Sequence, residues 1–295
     1  MEQLETLKRK IESAGDLHSV VKTMKALAAV NIREYERAVE SLSRYSRAVE
    51  MGLQIAMKNR PREKVISRPR EEDSLGAVIF GSDQGMVGQF NDHIASYALE
   101  RMKEFGIPPQ KRSLLVLGER VISRLEEAGH PVEDSVPMFG SLVDINSIMQ
   151  EVLIKIEDWR LKREVKRIVL FYNRPTQGAA YEPHMKYLLP LDLNWLQSLE
   201  NKEWPTRVLP TFTMKWRVLF SSLIRHYFFV SVYRASVESL ASENASRLAS
   251  MQAAEKNIQE RMEDLNTRFQ HQRQESITAE LLDIVSGFEI ISQER

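Results

Sequence analysis

Leu17-His-Ser-Val-Val-Lys-Thr-Met-Lys-Ala-Leu-Ala-Ala-Val-Asn-Ile-Arg-Glu-Tyr35 contains neither proline nor glycine, and its apolar residues fall at alternating steps of four and three. Carried forward, the count picks out Leu17, Val21, Met24, Ala28, Asn31, Tyr35, Ala38, Leu42, Tyr45, Val49, Gly52 and Ala56, with Asn31 the one polar member. A heptad pattern kept over this length is the seam of a coiled coil. The C-terminal flank repeats it at Leu223, Tyr227, Val230, Arg234, Val237, Ala241, Asn244, Leu248, Met251, Glu255, Ile258, Met262, Leu265, Phe269, Gln272, Ser276 and Ala279. Polar residues interrupt this second seam, so parts of it are expected to face something other than the first helix. At 1.5 Å per residue the two helices would reach roughly 80 and 110 Å, too long to bury in a small core. Each needs a partner, and the small seam residues Ala28, Ala38, Gly52 and Ala241 favour close approach of the two within one chain. Two separate dimerisation arms are the alternative.

Outside the flanks the composition changes. All 11 prolines and 9 of the 12 glycines lie between Pro61 and Pro210, which confines the helix breakers to the middle of the chain. There, Leu75-Gly-Ala-Val-Ile-Phe-Gly81, Ser113-Leu-Leu-Val-Leu-Gly118 and Arg167-Ile-Val-Leu-Phe-Tyr172 are short apolar runs that read as buried strands. Helical patterns at about 90–105, 120–129 and 142–160 separate them, and Tyr187 to Leu191 adds an edge strand stopped by Pro190. Strand and helix in alternation predict a Rossmann-like, mainly parallel sheet with right-handed crossovers. The expected fold is therefore α/β plus a long antiparallel α-helical coiled coil. Its parts are an N-terminal coiled-coil helix (1–60), a linker rich in Pro, Arg and Glu (61–74), the α/β domain (75–210) and a C-terminal coiled-coil helix (211–295).

Lys and Arg number 41 and Asp and Glu 41, but residues 1–70 hold 15 of the bases against 9 of the acids, so the basic excess sits in this first segment. A positive helix suits nucleic acid, anionic lipid or an acidic protein surface, and composition does not choose among them. No cysteine is present, which excludes disulfides, thiolate metal sites and cysteine nucleophiles and fits a reducing, cytoplasmic compartment. The N-terminus lacks the apolar core of a signal peptide, and nowhere do about 18 uncharged apolar residues run together. An exported or membrane-spanning protein is not expected.

Gly81-Ser-Asp-Gln-Gly-Met-Val-Gly88 ends the first predicted strand where α/β sheets often bind phosphate. It has no Gly-Lys-Ser/Thr, and glycines at 81, 85 and 88 do not match the dinucleotide spacing, so a tight turn is the better account. The six histidines, at 18, 93, 130, 184, 226 and 271, never pair at metal-ligand spacing on one helix, and no Gly-x-Ser-x-Gly is present. No catalytic residue, cofactor or metal is expected.

Three segments resemble the gamma-subunit family of F-type ATP synthases. Ser19-Val-Val-Lys-Thr-Met-Lys-Ala-Leu-Ala-Ala29 is similar to the family's Ile-Thr-Lys-Ala-Met-x-Met-Val-Ala-Ala, and Gly81-Ser-Asp-Gln-Gly-Met-Val-Gly-Gln-Phe-Asn91 to its Gly-Ser-Asp-x-Gly-Leu-Cys-Gly-x-Phe-Asn. Ala241-Ser-Glu-Asn-Ala-Ser-Arg-Leu-Ala-Ser-Met251, with Arg273-Gln-Glu-Ser-Ile-Thr-Ala-Glu-Leu-Leu-Asp-Ile-Val-Ser-Gly287, resembles the C-terminal signature. The resemblance implies a non-catalytic rotor stalk. Its coil would stand within a hexamer of alternating alpha and beta subunits, and its α/β domain would lie near the membrane rotor ring and the epsilon subunit. By the same resemblance the partner-binding residues are Met24, Lys25, Ser82, Asp83, Arg247, Arg273, Gln274, Thr278 and Glu280, with Met24, Lys25 and Arg247 near one another and Arg273 and Gln274 on a beta loop. It also implies a prokaryotic complex on the cytoplasmic face of the membrane. Val87 replaces the family's cysteine, and Met251-Gln-Ala-Ala-Glu-Lys-Asn257 stands for Met-Lys-Ala-Ala-Thr-Asp-Asn, departures that suggest a divergent branch resembling the sodium-coupled synthases. The alternatives from other classes are a coiled-coil adaptor or scaffold with an α/β domain and an α/β enzyme with a coiled-coil arm.

Overall fold

The computed structural model describes residues 2–61, 74–138, 145–176 and 180–293. Apart from Pro61 and Ser74, the expected linker lies outside these residues. Two helices dominate, α1 (Glu2–Lys58) and α6 (Trp216–Gln293). Between them run β1 (Leu75–Phe80), α2 (Phe90–Glu104), β2 (Arg112–Leu117), α3 (Ile122–Glu127), β3 (Asp134–Val136), α4 (Ile145–Lys162), β4 (Arg167–Pro175), β5 (Tyr181–Leu189) and α5 (Leu193–Asn201). The sheet order is β3-β2-β1-β4-β5, parallel except for the antiparallel edge strand β5. The mainly parallel sheet of the sequence reading is therefore present.

Three elements differ from expectation, the third being helix α5, which the sequence reading did not include. The three-residue β3 carries one buried side chain, Val136, too little pattern for a strand signal, and it is created by pairing with β2. The edge strand begins at Tyr181, six residues before the expected Tyr187, because its polar side chains Glu182, His184 and Lys186 alternate against β4. Helix α5 starts at an Asp192 cap whose carboxylate accepts the backbone N–H groups of Asn194 and Trp195 at 2.9 and 3.3 Å.

The chain divides into two compact units, residues 29–247 and residues 1–28 with 248–295. In the first, both faces of the sheet are buried. One face packs Phe80, Leu115, Leu117 and Leu170 against α4, α1 and α6 through Trp159, Tyr35 and Val232. The other packs Ile79, Val116 and Phe171 against α2 and α3 through Ile94, Met102 and Leu125. Gly76 lies under Trp159, whose ring carbon would stand 2.6 Å from an added Cβ. Within this unit α1 and α6 run antiparallel, since Asn31 bonds Asn244 at 3.3 Å, Tyr45 bonds His226 at 2.8 Å and the Trp216 indole donates to the Ala56 carbonyl at 2.6 Å. From Ser231 to Arg247 no residue of α6 is exposed. Serine and alanine at 231, 235, 236, 239, 241, 242, 245 and 246 let sheet and helix close on it from all sides.

In the second unit, the C-terminal seam keeps its phase: Met251 and Leu265 are buried, and Glu255, Ile258, Met262, Phe269, Gln272 and Ser276 are half-buried between exposed neighbours. The N-terminal seam needs a correction. Leu17 is 57% exposed and His18 is covered in its place, whereas Val21, Met24 and Ala28 are covered as expected and Lys25 is half-buried beside Met24. Both phases share Val21 and Ala28, so the pattern alone did not choose between Leu17 and His18; an acid of α6 facing His18 did.

The glycine turn and the candidate partner surfaces

In a sheet of this order the crossover direction reverses between β1 and β4, the position where open α/β sheets usually receive a ligand beyond their strand ends. Here the chain itself fills that position. Ser82 is fully buried, its N–H donating to the Asn91 side chain at 3.0 Å and its hydroxyl to the Gln84 carbonyl at 3.0 Å. Asn91 returns a bond to the Ser82 hydroxyl at 2.9 Å. Asn173, at the end of β4, donates to the Phe90 carbonyl at 3.1 Å. Helix α6 closes the crevice from above: Ser242 donates to the Asn173 carbonyl at 3.0 Å and Ser246 to the Val87 carbonyl at 2.6 Å.

Asp83 ties three strand ends together. Its carboxylate accepts the N–H of Glu119 at 2.9 Å, beyond β2, and that of Met138 at 2.6 Å, beyond β3. Gly118 is required beside it, at φ +94 with a would-be Cβ 2.6 Å from the Ser82 nitrogen, where any side chain would meet backbone. The polar groups of the glycine-rich turn thus serve a socket for α6. Ser82 and Asp83, expected on a partner surface, hold this socket.

Arg247 is 7% exposed and pairs with Glu243 at 2.7 Å, one helical turn back. Burial pushes the Glu243 carboxyl up, and Arg247 opposes that shift. Tyr35 packs alongside; burial, with Glu243 and Glu34 nearby, raises its hydroxyl to about 12. A buried pair of this kind is costly to break, because removing one partner strands the other's charge. Arg247 therefore has an internal acid of its own.

Met24 is half-buried in the second unit, and Lys25 is bonded there to Glu255. Met24 and Lys25 belong to one unit and Arg247 to the other. Arg273, Gln274, Thr278 and Glu280 are exposed on α6, with the Thr278 hydroxyl donating back to the Gln274 carbonyl at 2.9 Å. Among the described residues no side chain of α6 from Asn266 to Ser286 is buried. On this stretch Ile277, Leu281, Leu282, Ile284 and Val285 are all about half exposed or more, spaced as a helical stripe. Sequence reasoning gave no role to Ser242, Ser246 or His18. Glu255 was visible only as a charge interrupting the C-terminal seam.

Among the described residues no group of three or more His, Asp or Glu could hold a metal ion, and no helix is long and apolar enough to cross a membrane. The family model described as ATP synthase matches residues 3–291. The chain belongs to the ATP synthase family. It is 26% identical over 287 residues to the ATP synthase gamma chain of Aquifex aeolicus, covering 97% of this chain and 96% of that one. To the ATP synthase gamma chain of Glaesserella parasuis it is 28% identical over 283 residues, 95% and 96% of the two chains. In fold it is similar to a chain of the Euglena gracilis mitochondrial ATP synthase OSCP/F1/c-ring structure, with TM-score 0.67 and 16% identity over 98% of this chain and 95% of that one. A chain of the Tetrahymena thermophila central stalk/c-ring structure aligns with TM-score 0.55 at 20% identity, over 80% and 99%.

Proposed function

We propose that this chain is the gamma chain of an F-type ATP synthase, the central stalk that carries torque between a membrane rotor ring and a hexamer of alpha and beta subunits. The observation that supports it best is the family match from residue 3 to 291, spanning both long helices and the sheet between them. On this reading the chain does no chemistry. One asymmetric shaft inside a threefold ring holds the three catalytic sites in different states, and coupling is a difference in contact free energy between conformations of beta. The α/β domain, about residues 75–210, meets the rotor ring and the epsilon subunit on the cytoplasmic face of a bacterial membrane.

The exposed end of α6 is the surface for the hexamer. The apolar stripe from Ile277 to Val285 is the kind of uncovered patch that marks a protein contact. Arg273 and Gln274 lie beside it, where a guanidinium fork and an amide can grip one beta loop in a single orientation. A charge-assisted contact contributes about 1.5–3 kcal/mol, enough to bias one beta conformation without locking the rotor. Met24 and Lys25 add a second, weaker contact, and Thr278 and Glu280 extend the first.

The experiment is reconstitution of the whole synthase in vesicles, with the alpha and beta subunits, the epsilon subunit and the membrane sector, measuring assembly, ATP turnover and ion pumping. Wild-type chain should assemble and couple, while Arg273→Ala combined with Gln274→Ala should assemble more weakly or lose coupled turnover. Assembly and coupling equal to wild type would remove the contact, and tight nucleotide binding by the isolated chain in calorimetry would contradict the non-catalytic reading.

A further inference from the structure

His18, Lys22 and Lys25 are spaced i, i+4, i+7 and so share one face of α1. In the same unit α6 answers them with a single acid, Glu255, at a seam position. The Lys25 ammonium bonds the Glu255 carboxylate directly, and His18 Nε2 stands 4.0 Å from its other oxygen. The bond from Lys25, and then the charges of Lys25, His18 and Lys22, hold this carboxyl below the usual range. Lys256, its neighbour on α6, faces Glu260 at 3.9 Å instead. Lys25 and His18 therefore converge on one carboxylate, and Lys25 is the residue assigned above to the hexamer contact.

We propose that Glu255 is a specificity-determining residue that occupies Lys25, so that an acidic surface of the hexamer must compete with the shaft's own carboxylate to engage it. The proposal rests on the stalk reading above. Its physical basis is the middling exposure of the pair, with side chains 32% and 22% exposed for Lys25 and Glu255. A pair so placed is held weakly enough to exchange partners as the shaft turns, which a fully buried pair such as Glu243 with Arg247 is not. Lysine suits this use, because its ammonium is a point charge on a flexible stem and can swing from one carboxylate to another without the alignment that arginine needs. Without Glu255, the face formed by Lys25 and Lys22 would be an uncompensated positive stripe, and an acidic partner surface would hold it for longer at each step.

The test uses the assembled complex with wild-type chain, Lys25→Gln, Glu255→Gln and the double variant, alongside the melting temperature of each isolated chain. Glu255→Gln should slow ATP turnover about fivefold at low salt, the lower end of typical coupling effects. The slowing should shrink as salt is added, and the double variant should turn over within about twofold of Lys25→Gln alone. A role limited to holding the two helices in register predicts instead that both single variants and the double lower the melting temperature alike and leave turnover unchanged. That result, or a Glu255→Gln defect that persists in the double variant, would overturn the proposal and leave the stalk reading standing. A wild-type chain that fails to assemble with the hexamer would overturn both.

Discussion

Residues 29–247 and residues 1–28 with 248–295 are built on the same two helices, yet they are held together by different means. The first unit buries both faces of a five-stranded sheet and carries α6 through its interior with no exposed residue from Ser231 to Arg247. The second buries only Val21, Ala28, Met251 and Leu265 among its described apolar side chains and adds the Lys25–Glu255 pair. Apolar area removed from water is the main stabilising term, so the first unit is the stable body and the second a thin two-helix seam. The same contrast governs their charges. Arg247 and Glu243 are fixed inside the body, whereas the charges of the seam stay within reach of a partner.

The largest expected effect separates the two cores. Phe171→Ala, in the body, should cost about 3–5 kcal/mol and lower the main thermal transition, because the ring is fully buried between Tyr97 and the strands. Leu265→Ala should leave that transition in place and raise amide exchange only along α6 near residue 265 and the α1 segment of the same unit. A main transition that moves equally in both variants would show that the two units unfold as one.

A smaller effect tests the socket. Asp83→Asn should cost about 1.5–3 kcal/mol, since one of the two backbone N–H groups held by the carboxylate loses its charged acceptor. Chemical denaturation should reveal the cost, and exchange should quicken at Glu119 and Met138 while the seam is unaffected. Unchanged stability would mean that the socket is held by Ser242 and Ser246 alone.

The smallest effect is a pH dependence confined to the body. His130 is 7% exposed, and burial first, then Arg112 and Lys103, hold its imidazole below the ordinary 6.5. The unfolded chain therefore takes up a proton as pH falls through about 6.5 while the folded chain resists, so stability is lost in that direction. His184 is shifted the same way by burial and Arg174. Between pH 7 and 5 the melting temperature should fall by about 2 °C, and His130→Gln should flatten part of that slope. An unchanged slope in the variant would place the dependence elsewhere.

The helices and the three apolar strands were legible because each is specified locally, by period and by the absence or presence of proline and glycine. The C-terminal seam could be counted residue by residue as far as Ser276 for the same reason. β3 was not legible, because three residues carry no period and the strand exists only through β2. Nor was the covering of His18 in place of Leu17, since Val21 and Ala28 fit two phases equally well and the position of His18 depended on Glu255 across the seam.

By itself, then, the sequence determined the two long helices, the α/β segment between them and, through three motifs, the family. It did so because helix period, strand hydrophobicity and turn chemistry are properties of neighbouring residues. The tertiary structure decided what the motif residues do: Ser82 spends its hydrogen bonds on Gln84 and Asn91, Asp83 on the strand ends at Glu119 and Met138, Arg247 on Glu243 and Lys25 on Glu255. The partners of Asp83 and Lys25 stand 36 to 230 positions away in the chain. Whether a charged side chain faces its own fold or a partner is set by which distant backbone or carboxylate folding brings within 3 Å of it, and no local pattern encodes that distance.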